Sequence, residues 1–313
     1  MLIQDAEIGG LFHHDSLLRT ALERVPRTSP NEAFAAQNAI AWRNAMMKLK
    51  QSRRCRDSPS AISRANLSAE MAITSDMFPD SRSDFELIAM LEIIGSQACE
   101  SQRVVCSSRV SQMVLECHNL LLSWYSKYRQ ATITYQLQTS SLMMLWHSNF
   151  MLLNMNVDDL ERACGRDGRI VAEKRRQKVE AWARSEQGRR CIIHAILVQR
   201  QFENIPLGKE PPIHAPSCLY RCGIVWYCYT HFGGGGWRDE QTFNSLDLPE
   251  LQALNLDGKQ ILMEELVCRN DGGLTSSPLF RIIDLLHRIS HWKVAQSLAA
   301  TLLALSEENH AGL

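Results

Sequence analysis

Between positions 110 and 153 the apolar residues keep one spacing. Val110, Met113, Val114, Cys117, Leu120, Leu121, Trp124, Tyr125 and Tyr128 fall at the i, i+3, i+4, i+7 intervals of a single helix face. Leu142, Leu145, Trp146, Phe150 and Leu153 carry the pattern into the next segment. A half-buried strand would alternate every second residue, and no alternating βαβ rhythm or fixed-period repeat is found. The spacing predicts an all-α fold, a multi-helix bundle with a flexible linker near the N-terminus.

The longest run without Asp, Glu, Lys or Arg spans Gln130 to Val157, but its apolar heart is only Leu142 to Leu153. A membrane-spanning helix needs about 20 apolar residues, so this segment is expected to be a core helix and no membrane partner is expected. Composition agrees. Of 313 residues, 45% are hydrophobic and 22% charged, the proportions of a folded chain rather than a disordered one. That length allows one large domain or two small ones. Lys plus Arg and Asp plus Glu both number 34, so the chain lacks the broad basic field of a non-specific nucleic-acid binder. The ten cysteines are scattered through apolar segments, which reads as buried free thiols in a reducing compartment. Met1-Leu2-Ile3-Gln4-Asp5-Ala6-Glu7 has neither the basic start nor the apolar run of a secretory signal.

Three regions follow from the pattern: an N-terminal helical segment over 1–50, a linker over 51–84, and a helical domain over 85–313. The first holds a helix expected over Asn31–Lys50, opened by Ser29-Pro30. The linker is rich in Ser, Arg and Asp, with too few large apolar residues to pack. In the domain, Asn156-Val157-Asp158-Asp159-Leu160-Glu161, with an Asx residue three before a Glu, reads as a helix start, and Gly165 as the position just past its end. A polar helix over about Ile170–Arg184 turns Val179, Trp182 and Ala183 inward. Ser185 caps the next helix, which carries Ile193, Ile196 and Leu197. Residues 204–217 read as a loop. Cys218–Phe232 is a buried helix or strand, ended by Gly233–Gly236. Residues 233–278 read as turn-rich, with a short helix near Lys259–Cys268, and one last helix is expected over Leu279–Leu305.

Several groupings could carry chemistry, and each has a plainer reading. Cys218, Cys222, Cys228 and His231 are zinc-ligand types at short spacing, yet Gly223-Ile224-Val225-Trp226-Tyr227 between them belongs in a core. Asp284, His287 and His291 share a helix face, but one opposite the apolar stripe of Ile282, Leu285, Ile289 and Trp292, where solvation is the plainer reading. Asp158-Asp159-Leu160-Glu161 resembles the aspartate-rich helix of class I terpene cyclases, where carboxylates hold magnesium and a diphosphate. That resemblance makes a magnesium-dependent prenyl-diphosphate cyclase the alternative reading, beside a non-catalytic helical scaffold. Here Arg162 replaces the further acid, no second magnesium motif follows, and helix capping explains the aspartates more simply. Phe232 to Trp237, with four glycines between, lacks the Lys-Ser/Thr and preceding strand of a phosphate loop. His194, after two isoleucines, reads as a hydrogen-bonded core histidine. Nothing pairs a nucleophile with a base. Lys48, Lys50, Arg53, Arg54 and Arg56 form a cluster that is a candidate nuclear-import signal or phosphate contact, or simply a solvated helix end.

Five segments occur in order through the middle of the chain. They are Leu145-Trp146-His147; Asn156 to Glu161 with Gly165-Arg166-Asp167-Gly168; Val179 with Trp182-Ala183 and Ser185; Gly188-Arg189-Arg190-Cys191-Ile192-Ile193-His194-Ala195; and Pro212-Ile213-His214-Ala215-Pro216 ahead of Val225-Trp226-Tyr227-Cys228-Tyr229. From Leu142 to Tyr229 the chain resembles the fungal-specific transcription factor domain, the middle homology region of fungal zinc-finger regulators, in the version found downstream of C2H2 fingers. The resemblance implies an all-α regulatory domain, a nuclear location and control of a metabolic or biosynthetic gene set. It also implies transcription proteins as partners and pairing between copies, with no catalytic or cofactor-binding residues. Trp146, Asp158, Asp159, Trp182, Arg189, Arg190, His194 and Trp226 are then structural motif residues that pack and hydrogen-bond helix to helix. The chain holds no finger motif and no six-cysteine cluster. DNA is therefore expected as an indirect partner, or through a finger missing from this chain, and zinc only in that finger.

Overall fold

In a computed structural model, the described residues are 7, 36–56, 84–102, 107–134, 139–233, 248–270 and 278–311. They form twelve helices and no strand: α1 (Ala39–Arg56), α2 (Asp84–Ser101), α3 (Ser107–Thr134), α4 (Thr139–Asn154), α5 (Val157–Ala163), α6 (Arg169–Ala183), α7 (Glu186–Glu203), α8 (Ala215–Phe232), α9 (Pro249–Ala253), α10 (Gly258–Asn270), α11 (Pro278–Arg288) and α12 (Lys293–Ala311).

The centre is α4 packed on α7, with α8 against α7 and also touching α4; α2 and α3 cover α4, while α11 and α12 cover α8. Helix α4 is buried over twelve consecutive residues, Ser141 to Leu152, because neighbours surround it. That explains why it is apolar on every side rather than striped. Among the described residues no helix is long and apolar enough to cross a membrane.

Local chemistry sets the helix ends. Asn156 caps α5, accepting from Asp159 N at 3.0 Å, and Ser185 caps α7, accepting from Gly188 N at 3.2 Å. Gly165, with φ +99°, follows the Cys164 C-cap in a conformation that costs L side chains about 1–2 kcal/mol. Three departures from the sequence expectations have physical causes. Helix α1 starts after Asn38, whose side chain accepts from Ala41 N at 2.9 Å, and it runs to Arg56, six residues into the expected linker. Residues 57–83 lie outside the described residues. The expected last helix is two. Continuing the α11 face at 100° per residue would turn Lys293 and Gln296 inward. The chain instead breaks at Ile289–Trp292 through i→i−3 bonds such as Trp292 N to Ile289 O, which re-aims Ala295, Ala299 and Leu302 at the core. Helix α9 lies in a stretch expected to be turns.

Helices α2 and α4 approach closely at Gly95. A Cβ there would stand 2.6 Å from Asn149 Oδ1, and Asn149 Nδ2 donates to Leu91 O at 2.7 Å. Gly95→Ala therefore displaces Asn149 and breaks that bond, lowering the unfolding free energy by about 1–3 kcal/mol. Urea titration of the variant against the parent chain measures it.

Candidate functional site

The residues that carry the family resemblance are spread through the bundle, and most of them join helices. Trp146 Nε1 (α4) donates to Leu121 O of α3 at 2.9 Å, and Trp182 Nε1 (α6) to Asn154 O at the end of α4 at 2.8 Å. Leu121 O, within α3, keeps a second lone pair for such a donor, whereas Asn154 O is one of the last carbonyls of α4, which lack a partner within the helix. Trp226 is buried in α8. Arg189 does less than expected. Its Nη1 donates to Arg184 O, five residues back at the α6–α7 junction, and its Nε, buried, has no hydrogen-bond partner.

The densest polar grouping gathers Arg190, His194, His147, His118 and Glu250. Glu250 stands at the start of α9, its side chain fully buried. Arg190 grips it with both arms, Nε to Oε1 at 2.6 Å and Nη2 to Oε2 at 2.7 Å, the fork geometry a guanidinium makes with a carboxylate. Arg190 Nη2 also meets His118 Nε2 of α3 at 2.9 Å. His194 Nε2 lies 3.3 Å from Glu250 Oε1, and His194 Nδ1 lies 3.0 Å from His147 Nδ1. Burial would raise the Glu250 carboxyl, but its contacts with His118 and His194 and the charges of His194 and Arg190 outweigh that. They hold it far below the usual carboxylate range. The tautomers follow: His194 donates from Nε2 to the carboxylate, and its bare Nδ1 accepts from His147 Nδ1–H. Burial is the largest cause pushing both imidazoles below their ordinary value, and at His194 it prevails over the opposing pull of Glu250. Phe150 stacks on His194 at 4.9 Å between ring centroids, with Arg190 over its other neighbourhood at 5.7 Å. Chemically, the arrangement keeps one carboxylate ionised inside the bundle, orients two neutral imidazoles in a line, and ties α3, α4, α7 and α9 together.

The two aspartates lie elsewhere and among cations. Asp158 pairs with Arg162 at 2.9 Å and Arg166 at 2.6 Å. Asp159 pairs with Arg175 at 3.2 Å and with Lys178, both on α6. Capping of α5 falls to Asn156 rather than to either aspartate, whose carboxylates join α5 to its own end and to α6.

The other candidate groupings do not converge. Cys218 and Cys222 are buried on one side of α8, whereas Cys228 Sγ faces Cys164 Sγ at 3.5 Å and His231 is exposed. Burial pushes the Cys117 and Cys218 thiols up to about 12. Asp284 and His287 are exposed on α11. His291 belongs to the turn after it and meets Glu210 at 3.3 Å. Among the described residues no group of three or more His, Cys, Asp or Glu side chains is placed to hold a metal ion. Of the basic cluster, Lys48 is exposed on α1, and Lys50, Arg53, Arg54 and Arg56 belong to the same helix. The glycine run at 234–236 lies outside the described residues.

Sequence reasoning missed Glu250 and His118. Their partners lie 60 and 72 positions away, and no local pattern signals such pairing. Comparison of the chain with known protein families, with curated proteins and with solved structures finds no match.

Proposed function

We propose that the chain is a non-catalytic regulatory and interaction module of a transcription regulator, working in the nucleus on a metabolic or biosynthetic gene set. The ordered series of segments from Leu145 to Tyr229 carries this reading. The use made of its landmarks supports it: Trp146, Trp182, Arg190 and His194 spend their polar atoms on other helices and on Glu250, as packing residues of a module do. Helix α1 serves nuclear import or contacts phosphate through Lys48, Lys50, Arg53, Arg54 and Arg56. In support, α1 contains six cationic residues and no acidic one in a chain with no net charge, and Ile40, Trp42 and Met47 are exposed on it. Partners are other transcription proteins, with DNA reached through them.

A fluorescent fusion of the whole chain tests the location. The parent chain concentrates in the nucleus, and changing the five cations to alanine spreads it through the cell. Deleting the gene changes the transcripts of a defined gene set; unchanged transcripts across growth conditions would sink the proposal. The purified chain with magnesium and prenyl diphosphates releases no product. Turnover that Asp158→Asn abolished would replace this reading with the cyclase one.

A further inference from the structure

A second buried polar cluster lies where α2, α4 and α8 meet. Arg221 of α8 is 6% exposed, and its Nη1 donates to Ser148 Oγ of α4 at 3.2 Å. One turn before it, Ser217 Oγ donates to a carboxylate oxygen of Glu7 at 2.6 Å. Glu92 of α2, also buried, hydrogen-bonds to the same Glu7. A single carboxylate from 210 positions away is thus held by a hydroxyl and a carboxyl of the bundle, in the field of a buried guanidinium.

The charges explain why the bundle's own acid does not do this. A buried guanidinium needs one negative partner. Two carboxyl groups in contact do not both ionise readily. Burial, then the charge of Glu7, pushes the Glu92 carboxyl well above its ordinary value. Glu92 therefore carries a proton and donates it to Glu7. For Arg221, burial is the largest single effect, and the attraction of Glu7 is the strongest of the charge effects that together outweigh it. Two further polar atoms in the cluster are buried without a partner, Glu92 Oε1 and His214 Nδ1, and the imidazole of His214 lies in the fields of both Glu7 and Arg221. Hydroxyl donor, carboxylic-acid donor and guanidinium are the groups that recognise a carboxylate, and buried donors of this kind are normally filled.

We propose that Arg221, Ser217 and Glu92 form a buried receptor for a carboxylate, that Glu7 fills it from within the chain, and that a small organic acid with one carboxylate is the ligand class that competes for it. The inference is independent of the transcriptional reading. An occupant in the same chain acts at a local concentration on the order of millimolar, so a free acid binds weakly until the Glu7 carboxylate is removed.

The test uses the full chain carrying Glu7→Ala, with sodium acetate as the probe and sodium chloride or acetamide as matched controls. The variant melts below the parent chain. Acetate at ten times its Kd raises the variant's Tm by about 3 °C, acetamide does not, and the parent chain does not respond. Adding Ser217→Ala weakens the acetate response about threefold or more. An equal acetate shift in both chains, or none in Glu7→Ala, overturns the proposal. Should Glu7→Ala fail to fold, Glu7→Gln keeps the shape and removes the charge. Glu92 must then ionise to balance Arg221. The infrared carbonyl band of a protonated carboxyl group, assigned with Glu92→Gln, disappears in Glu7→Gln if the receptor works as described. Its persistence overturns the proposal.

Discussion

Replacing Arg190 with methionine lowers the unfolding free energy by about 3–5 kcal/mol. Glu250 then keeps a charge, fully buried, without the guanidinium that held both its oxygens. The histidines do not replace it: His194 reaches one oxygen at 3.3 Å and His118 the other only at 3.5 Å, and burial opposes a charged His194. For a chain of this size the loss amounts to a fall in Tm of roughly 5–8 °C. Glu250→Gln alone leaves Arg190 partly solvated, at 18% side-chain exposure, so it costs less than Arg190→Met. The double variant is more stable than the sum of the two losses predicts, because the second change removes an orphaned charge. Chemical denaturation of the four chains measures the coupling. Strict additivity would show that the fork contributes nothing as a pair.

Acid weakens the fold before most carboxylates titrate. His147, His194 and His214 all have pKa values pushed below the ordinary histidine value, burial being the largest cause for each. The unfolded chain binds protons at these residues below about pH 6.5, while the folded chain does not. Stability is therefore complete above that pH and is lost as pH falls through it. At pH 5 each histidine contributes a loss of at most about 2 kcal/mol, hence about 6 for the three. Glu92 acts in the opposite direction. Its raised carboxyl binds a proton in the folded chain that the unfolded chain releases above about pH 4.5. Acidification from pH 7 to 5 thus relieves up to about 3 kcal/mol there. Three histidines act against one carboxyl, and the net effect of acidification is a loss of stability. In Glu92→Gln the relief is absent, so its acid loss is the steeper one and its stability at pH 7 exceeds that of the parent chain. Unfolding free energies across pH 5–7.5 check both slopes. A parent chain equally stable at pH 5 and 7, paired with an equally flat Glu92→Gln, is the result that contradicts this account.

Much of the fold was legible in advance. The stripe from Val110 to Tyr128 is a helix with Cys117, Leu121 and Trp124 buried, and Leu142–Leu153 is a core helix. Gly165 and Ser185 end and start helices as their residue types suggest, and a helix starts within Asn156–Glu161 as expected, with Asn156 as its cap instead of an aspartate. Cys218–Phe232, ambiguous by period, is helical, and its uniform apolarity reflects burial on several sides rather than strand geometry. The departures have separate physical causes. Between α11 and α12 the apolar face jumps from Ile289 to Ala295. Ser29-Pro30 lies outside the described residues, and among those described α1 starts after Asn38. Helix α9 is five residues long, too short for a period to register.

The polar clusters were legible only in part. His194 reads as a core histidine from its isoleucine neighbours. Nothing around Glu250 says that it lies against Arg190, and nothing in Met1 to Glu7 says that a carboxylate there meets Ser217. Local pattern was enough to establish an all-helical chain, several of its helix ends, and which faces turn inward. Those properties depend on residues within a turn or two of one another. The tertiary structure decided which charges are buried and with whom, which aspartates face arginines, and where the last helix breaks. Those outcomes depend on contacts across tens to hundreds of positions, and on the desolvation that only close packing of several helices creates.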